Sequence, residues 1–326
     1  ANAKHLVAID RPFTTIVAGN KSANDDIKSI FDEAGKDVVI TANVMPQFNK
    51  LNIEPARDAI RQLFISRIIE AKGLNILQSM TSYKIIPTPL AVLHACELLS
   101  KGTKTQQGRG DLLAVDIGGA TTDVYSMASG EPTVDNTMLK GLPEPWMKRT
   151  VEGDLGMRYS LTHVYEQIPG ADNPENEYMQ QVKAWVELCT ARPDTLAAPG
   201  SEEEKLEEFL GRSAVSMAVE RHCGRIADVF TPLGLMHTQE GKDLMNVPSV
   251  IGIGGVLRNS RRPEEILKGS LYDFMHPECT KPRKPKFYLD QKYIFASMGL
   301  LRSINPELAF ELLDKETVEI GCNATV

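Results

Sequence analysis

Apolar positions in the first hundred residues fall into short runs separated by amphipathic stretches. TTIVAG (14–19) and DVVIT (37–41) are apolar enough to be buried strands. Between them Ile27, Ile30, Phe31 and Ala34 keep helical spacing. This predicts a helix capped by Ser22, with Asp25 in its first turn and Gly35 at its end. Strand, helix and strand in that order make a βαβ unit of a parallel sheet. Pro55 suits the first turn of a longer helix, with Ile60, Leu63, Phe64 and Ile68 as its core stripe and Gly73 past its end. Thr88-Pro89 opens another, carrying Leu90, Leu93 and Leu98 and closing near Gly102. KGTKTQQGRG (101–110) is polar and glycine-rich and reads as a linker. The expected domains are therefore 1–103 and 104–326.

The second region opens on LLAVDIGGATTDVYSM (112–127). Leu112 to Val115 is a continuous apolar strand ending on Asp116. Gly118-Gly119 permits a tight turn, and Thr121 to Met127 can return as the antiparallel partner. Ser201 with Glu204 forms a capping box for a helix extending to about Phe230. VPSVIGIGG (247–255) is a strand running into glycines, and KFYLD (286–290) is a late strand before closing helices. No internal repeat is evident. The fold class is α/β.

Composition narrows the function. The chain has 326 residues, 42% hydrophobic and 24% charged, which suits about two packed domains rather than disorder. A net charge of -7 argues against a general nucleic-acid binder. The cluster KPRKPK (281–286) reads as a solvated, extended connection into a strand. Cys96, Cys189, Cys223, Cys279 and Cys322 are widely spaced without a CxxC pair, so they are expected to be free thiols in a reducing cytoplasm. His222-Cys223 and His276-x-x-Cys279 offer two ligands each, short of a four-ligand metal site. No apolar segment approaches ~18 residues, so no membrane span is expected.

The turn at 116–123 has two readings. It is an ordinary Gly-Gly hairpin, or it is a polyphosphate site. For the second, bare glycine amides can form an anion nest, Thr121 and Thr122 add hydroxyls, and Asp116 can hold Mg²⁺ directly or through water. Asp123 supplies a second carboxylate. No GxxxxGK[ST] occurs, and GIGGVL (252–257) fails GxGxxG because Leu257 takes the last glycine position.

DIGGATTDV resembles the second phosphate motif of the actin–Hsp70–sugar kinase superfamily, and GIGGVLRN its adenosine motif. NVMPQFNKLNIEPAR (43–57), GLPEPWMKRTVEGDLGMR (141–158) and KPKFYLDQKYIFASMGLL (284–301) resemble the MutL/GlmL family of glutamate mutase accessory proteins. That family is unrelated to the mismatch-repair MutL. The resemblance covers nearly the whole chain. It implies ribonuclease H-like, actin-like ATPase lobes: a complete second lobe and the remainder of a first. It implies ATP and Mg²⁺ as cofactors. Asp116 would take the Mg-linked role, Gly118, Gly119, Thr121 and Thr122 would contact phosphate, and Asp123 is the motif's second acid. Gly254 and Gly255 would lie against the nucleoside. Glu152 or Asp154, in TVEGDLG, would orient the attacking water; their plainer reading is acidic first-turn residues of a helix.

Such ATPases carry a first phosphate turn near the N-terminus of the other lobe. Residues 1–20 hold Asp10-Arg11-Pro12 and no glycine turn. The expectation is a C-terminal fragment, beginning inside the first lobe, with weak or absent ATP hydrolysis. The function implied is a nucleotide-dependent accessory protein of an adenosylcobalamin-dependent mutase, glutamate mutase or similar. Alternatives are an ATP-dependent hydantoin or oxoproline hydrolase and an interaction module without nucleotide chemistry.

Overall fold

The computed structural model describes residues 2–48, 50–71, 80, 85–232 and 234–321; the side chains of 68–71 fall outside that description. Ile68 as a core residue, Gly73 and Cys322 therefore lie outside the described residues. The chain divides into two compact units, 1–87 and 88–326.

In the first unit, helix α1 (Asn2–Val7) precedes strand β1 (Thr14–Val17), helix α2 (Asn24–Glu33), strand β2 (Asp37–Ile40) and helix α3 (Glu54–Ala71). β1 and β2 pair in parallel, with Thr14 opposite Asp37, as the βαβ pattern requires. Ser22 is not the helix cap. Asn20 accepts the Ser22 amide through its side chain and starts a short 3-10 turn, which hands on to α2. Asparagine two residues upstream is an equally good cap, and propensity alone does not rank the two. Gly35 ends the helix at φ 61°. The stripe on α3 is not a core: Ile60 and Phe64 are more than half exposed. With Pro12, Phe13 and Ile16 they line a shallow groove.

The second unit starts with helix α4 (Thr88–Lys101), not after it. Val92, Leu93, Ala95, Cys96 and Leu99 of α4 are buried against one face of the large sheet. The predicted linker is a tight loop inside this unit. Gly102 and Gln107 bridge, and a Cβ on Gly102 or Gly108 would lie 2.2 Å from a backbone oxygen. Its glycines serve close packing rather than flexibility.

β3 (Leu112–Ile117) and β4 (Thr122–Met127) form the expected hairpin. They are followed by β5 (Thr137–Lys140), β6 (Met147–Glu152), α5 (Leu161–Glu166), α6 (Glu177–Ala191), α7 (Glu202–His222), β7 (Arg225–Thr231) and β8 (Gly234–Glu240). Then come β9 (Ser249–Ile253), α8 (Gly255–Asn259), α9 (Pro263–Leu267), β10 (Lys286–Asp290), α10 (Phe295–Leu301), α11 (Pro306–Glu316) and β11 (Thr317–Glu319). The main sheet has the order β11-β10-β9-β3-β4-β6. β3, β4 and β6 are an antiparallel meander, while β9 and β10 run parallel to β3. Strands β5, β8 and β7 form a separate small sheet. The Ser201 cap holds, its hydroxyl accepting the Glu204 amide. The helix stops at His222, however, and residues 225–231 are strand. IADVF is rich in β-branched and aromatic residues, which favours strand once Gly224 breaks the helix. Lys281, predicted to be solvated, is buried and donates to Ser216 O and Oγ.

The sheet is buried on both faces. Leu113, Val115, Ile117 and Val124 face α6 and α7, whereas Leu112, Ala114, Tyr125 and Met127 face α4, α10 and α11. Four cysteines (96, 189, 223 and 279) are buried and unbridged. Among the described residues, no helix is long and apolar enough to cross a membrane.

His222 closes α7 and is fully buried. Its Nδ1 meets Thr150 Oγ1 and its Nε2 meets Ser126 Oγ, each at 2.8 Å. Burial first, and then the charges of Lys148 and Lys242, hold its pKa well below the ordinary value. A depressed histidine pKa means stability is complete above ~6.5 and falls as the pH drops below it. The slope for one proton approaches about 1.4 kcal/mol per pH unit at most, so stability should fall measurably between pH 7 and pH 5. The comparison that isolates this site is the urea stability of wild type and His222→Gln across that range. Parallel pH profiles would show that His222 is not responsible.

Candidate functional site

The register of the main sheet brings three carboxylates to one level. Asp116 of β3 pairs with Asp123 of β4 across the hairpin, and with Ile253 of β9 on the other side. Leu289 pairs with Gly252, which puts Asp290 level with Ile253. Strand alternation points Asp116 and Asp123 to the face that buries Ala114 and Tyr125. Asp290 is almost fully buried and accepts the amides of Ile294 and Phe295 at 2.9 and 3.1 Å, which anchors the start of α10.

The three acids are treated differently. Asp123 is tied to Arg149, whose Nε and Nη2 lie 2.8 and 2.7 Å from Oδ1. Asp290 has its backbone amides. Asp116 accepts no hydrogen bond among the described residues. Burial, followed by the neighbouring charges of Asp123 and Asp290, raises its pKa to about 6, and Arg149 opposes the rise. A half-buried carboxylate without a hydrogen-bond donor among the described residues suits a hard cation. No group of three or more His, Cys, Asp or Glu among the described residues could hold a metal by itself. The donor set therefore fits Mg²⁺ that keeps most of its ligands as water or phosphate.

The hairpin turn next to Asp116 is held from behind. Gly118 N–H donates to Thr121 O at 2.9 Å and closes the turn. The carbonyls of Gly118 and Gly119 accept the amides of Met157, Arg158 and Tyr159, and Ala120 O accepts Ser160 Oγ. Gly156 packs so closely that a Cβ there would lie 2.2 Å from Ala120 C. With the carbonyls drawn toward 157–160, the amides of Gly119, Ala120 and Thr121 have no intramolecular partner among the described residues. Three free N–H groups on one short turn are a ready anion nest.

A cavity of about 720 Å³ adjoins this turn. Gly118, Gly119 and Arg158 bound one part of it, Gly255 and Asn259 another, and Glu204 and Glu207 of α7 a third. Gly254, at φ 100°, lets the chain pass where a Cβ would be 2.5 Å from Ile117 O and 2.7 Å from Asp116 Oδ1.

The family described as MutL protein matches residues 1–317. Protein MutL of Clostridium tetanomorphum is 44% identical over 322 residues, covering 98% of this chain and 69% of its own length. The chain belongs to the MutL family. The matched span includes the hairpin, the GIGG strand end and the Asp290 segment.

In this MutL chain not every predicted site residue converges. Gly118, Gly119, Thr121, Asp116, Asp123, Gly254 and Gly255 gather around the turn and the end of β9. Thr122 does not. It is fully buried, faces the opposite side of the sheet from Asp116, and donates its hydroxyl to Leu155 O. Glu152 is the cross-strand partner of Thr122, so it too lies on the opposite face. Arg221 of α7 donates to Glu152 and to both oxygens of Asp154. The Arg221 hydrogen bond is the main reason that Asp154 has a pKa of about 2. A carboxylate held so acidic is a poor proton acceptor at neutral pH. The pair reads as a brace between the loop and α7.

Sequence reasoning does not reach Asp290 or Arg149. KFYLD ends an apolar strand on a carboxylate just as LLAVD does, so for Asp290 a signal exists. Arg149 carries none, because only the β4–β6 register places it beside Asp123.

Proposed function

We propose that this chain binds a magnesium–nucleotide, ATP or its diphosphate, in the cavity of its second unit, and acts as an accessory protein of an adenosylcobalamin-dependent mutase such as glutamate mutase. The observation that carries the nucleotide part is the turn with three free amides, next to the Asp116 carboxylate, whose Gly118 and Gly119 border the cavity. Each charge-assisted hydrogen bond from such an amide is worth roughly 1.5–3 kcal/mol. Gly255 and the apolar wall supplied by Val256, Leu196 and Ile266 suit a nucleoside. The strand order, an antiparallel meander followed by two parallel strands, supports the reading of an actin-like lobe. Magnesium would neutralise phosphate charge, with Asp116 as its protein-side anchor. The chain's own groups orient the phosphates and bury the base, and Arg149 holds Asp123 in place.

The accessory role rests on family membership. Calorimetric titration with Mg-ATP should give binding that weakens at least about tenfold when EDTA removes the metal, the equivalent of ~1.4 kcal/mol. Sedimentation of the chain with glutamate mutase subunits should show association that depends on nucleotide. Absence of any nucleotide binding would refute the first part; absence of association in every nucleotide state would refute the second.

A further inference from the structure

One side chain joins the hairpin turn, α7 and the connection between α6 and α7 on the cavity wall. The amide of Arg158 donates to Gly119 O at 2.8 Å. Its Cβ and Cγ pack over Gly119, where a methyl would lie 3.7 Å from Cβ. Its guanidinium donates through Nη2 to Glu207 Oε1 at 2.6 Å and to Thr195 O at 3.0 Å, and through Nη1 to Met157 O at 2.6 Å. Thr195 lies in the connection between α6 and α7, whose Pro193, Leu196, Ala197 and Pro199 line the cavity. That connection carries few other ties. Thr195 N–H turns back to Arg192 O, and Gly200 N–H reaches Glu204. Leu196 is three-quarters exposed.

We propose that Arg158 is a positioning residue which couples phosphate at the hairpin turn to closure of the 193–199 connection over the cavity. The inference rests on the nucleotide reading above. Its physical basis is geometric. A ligand that engages the amides of Gly119 to Thr121 fixes the Gly119 peptide, which fixes the Arg158 backbone and the stem packed upon it. The planar guanidinium then presents Nη2 to Glu207 and Thr195 O together. A fixed donor restricts the motion of the carbonyl it holds. The connection therefore orders when phosphate arrives, even when no base fills the cavity.

Hydrogen exchange on the whole chain tests this, with magnesium pyrophosphate as a probe that lacks a base and Mg-ADP as the nucleotide. In the wild type, saturating pyrophosphate should slow exchange at 118–121 and also at 193–200 by roughly tenfold. In Arg158→Met the turn should remain protected while protection of 193–200 is lost, and Mg-ADP should bind about tenfold more weakly. Glu207→Gln, which leaves Arg158 on the turn but weakens its anchor, should lose part of the loop protection. A merely structural arginine would change the melting temperature without separating the two segments. Pyrophosphate that protects the turn but leaves 193–200 unchanged in the wild type overturns the coupling and leaves the nucleotide reading intact. Protection of neither segment by either ligand overturns both. Loop protection that is undiminished in Arg158→Met, or in Glu207→Gln should the first variant not fold, also overturns the coupling.

Discussion

Asp116→Asn is expected to make the protein more stable by about 2 kcal/mol at pH 7.5 while removing magnesium-dependent nucleotide binding. The carboxylate is half-buried and accepts no hydrogen bond among the described residues; desolvation first, and then the charges of Asp123 and Asp290, raise its pKa to about 6. A raised carboxylate pKa means that folded stability is complete below the unfolded value of ~3.9 and is lost as the pH rises through 6. The loss approaches ~1.4 kcal/mol for each pH unit between the unfolded and folded pKa values, about 3 kcal/mol at most. Asparagine keeps the shape without the charge, so its advantage should be present above pH 6 and vanish near pH 4. Urea midpoints at pH 4 and 7.5 check this, paired with a Mg-ATP titration. An equal advantage at both pH values would mean that packing, not charge, sets the difference. A group that destabilises the fold when ionised, yet holds the place where a cation would be useful, is what a binding site looks like before its ligand arrives. The same protons oppose those of His222. As the pH falls, Asp116 adds stability while His222 removes it, and each is best measured with the other altered.

Much of the architecture was legible because it rests on local signals. TTIV and DVVI gave strands, and Gly35 gave a helix end. LLAVDIGGATTDVYSM gave a hairpin whose strands and turn fall where the glycines place them. Most of the misreadings turn on backbone pairing and packing, which composition and spacing do not register. The 101–110 stretch has a linker's composition, but Gly102 and Gly108 are there for backbone packing, which composition does not register. IADVF follows a helix of 21 residues and carries a plausible helical face; pairing with β8 decides otherwise. Ile60 and Phe64 keep core spacing on α3, yet periodicity states only that one face is apolar, not that something covers it.

At the site, residue types were readable and faces were not. Asp116 and Glu152 both lie at strand ends in family-like blocks. Only the pairing of Thr122 with Glu152 shows that they point to opposite sides of the sheet. Arg221 then explains the acidic pair at 152 and 154 as one end of an ion-pair brace, a role invisible without the helix that carries it.

Gly254→Ala is expected to be a severely damaging small substitution near the site, costing roughly 4 kcal/mol. Gly254 has φ 100° and ψ 160°, a region open to glycine and strained by about 1–3 kcal/mol for other residues. The new methyl would also fall 2.5 Å from Ile117 O, a backbone atom of the β3–β4 hairpin, and 2.7 Å from Asp116 Oδ1. One clash is with a side chain and the other is not, so a double-mutant cycle separates them. Combining Gly254→Ala with Asp116→Ala should recover about 1 kcal/mol relative to the sum of the singles, since only the carboxylate contact is relieved. Gly255→Ala is the control one position along. Its Cβ would meet nothing closer than Asn259 Nδ2 at 3.8 Å, so stability should stay within about 0.5 kcal/mol. Strict additivity in the cycle would mean that Asp116 is not held against Gly254. In that case the adjoining strand ends would not be what fixes the carboxylate beside the turn.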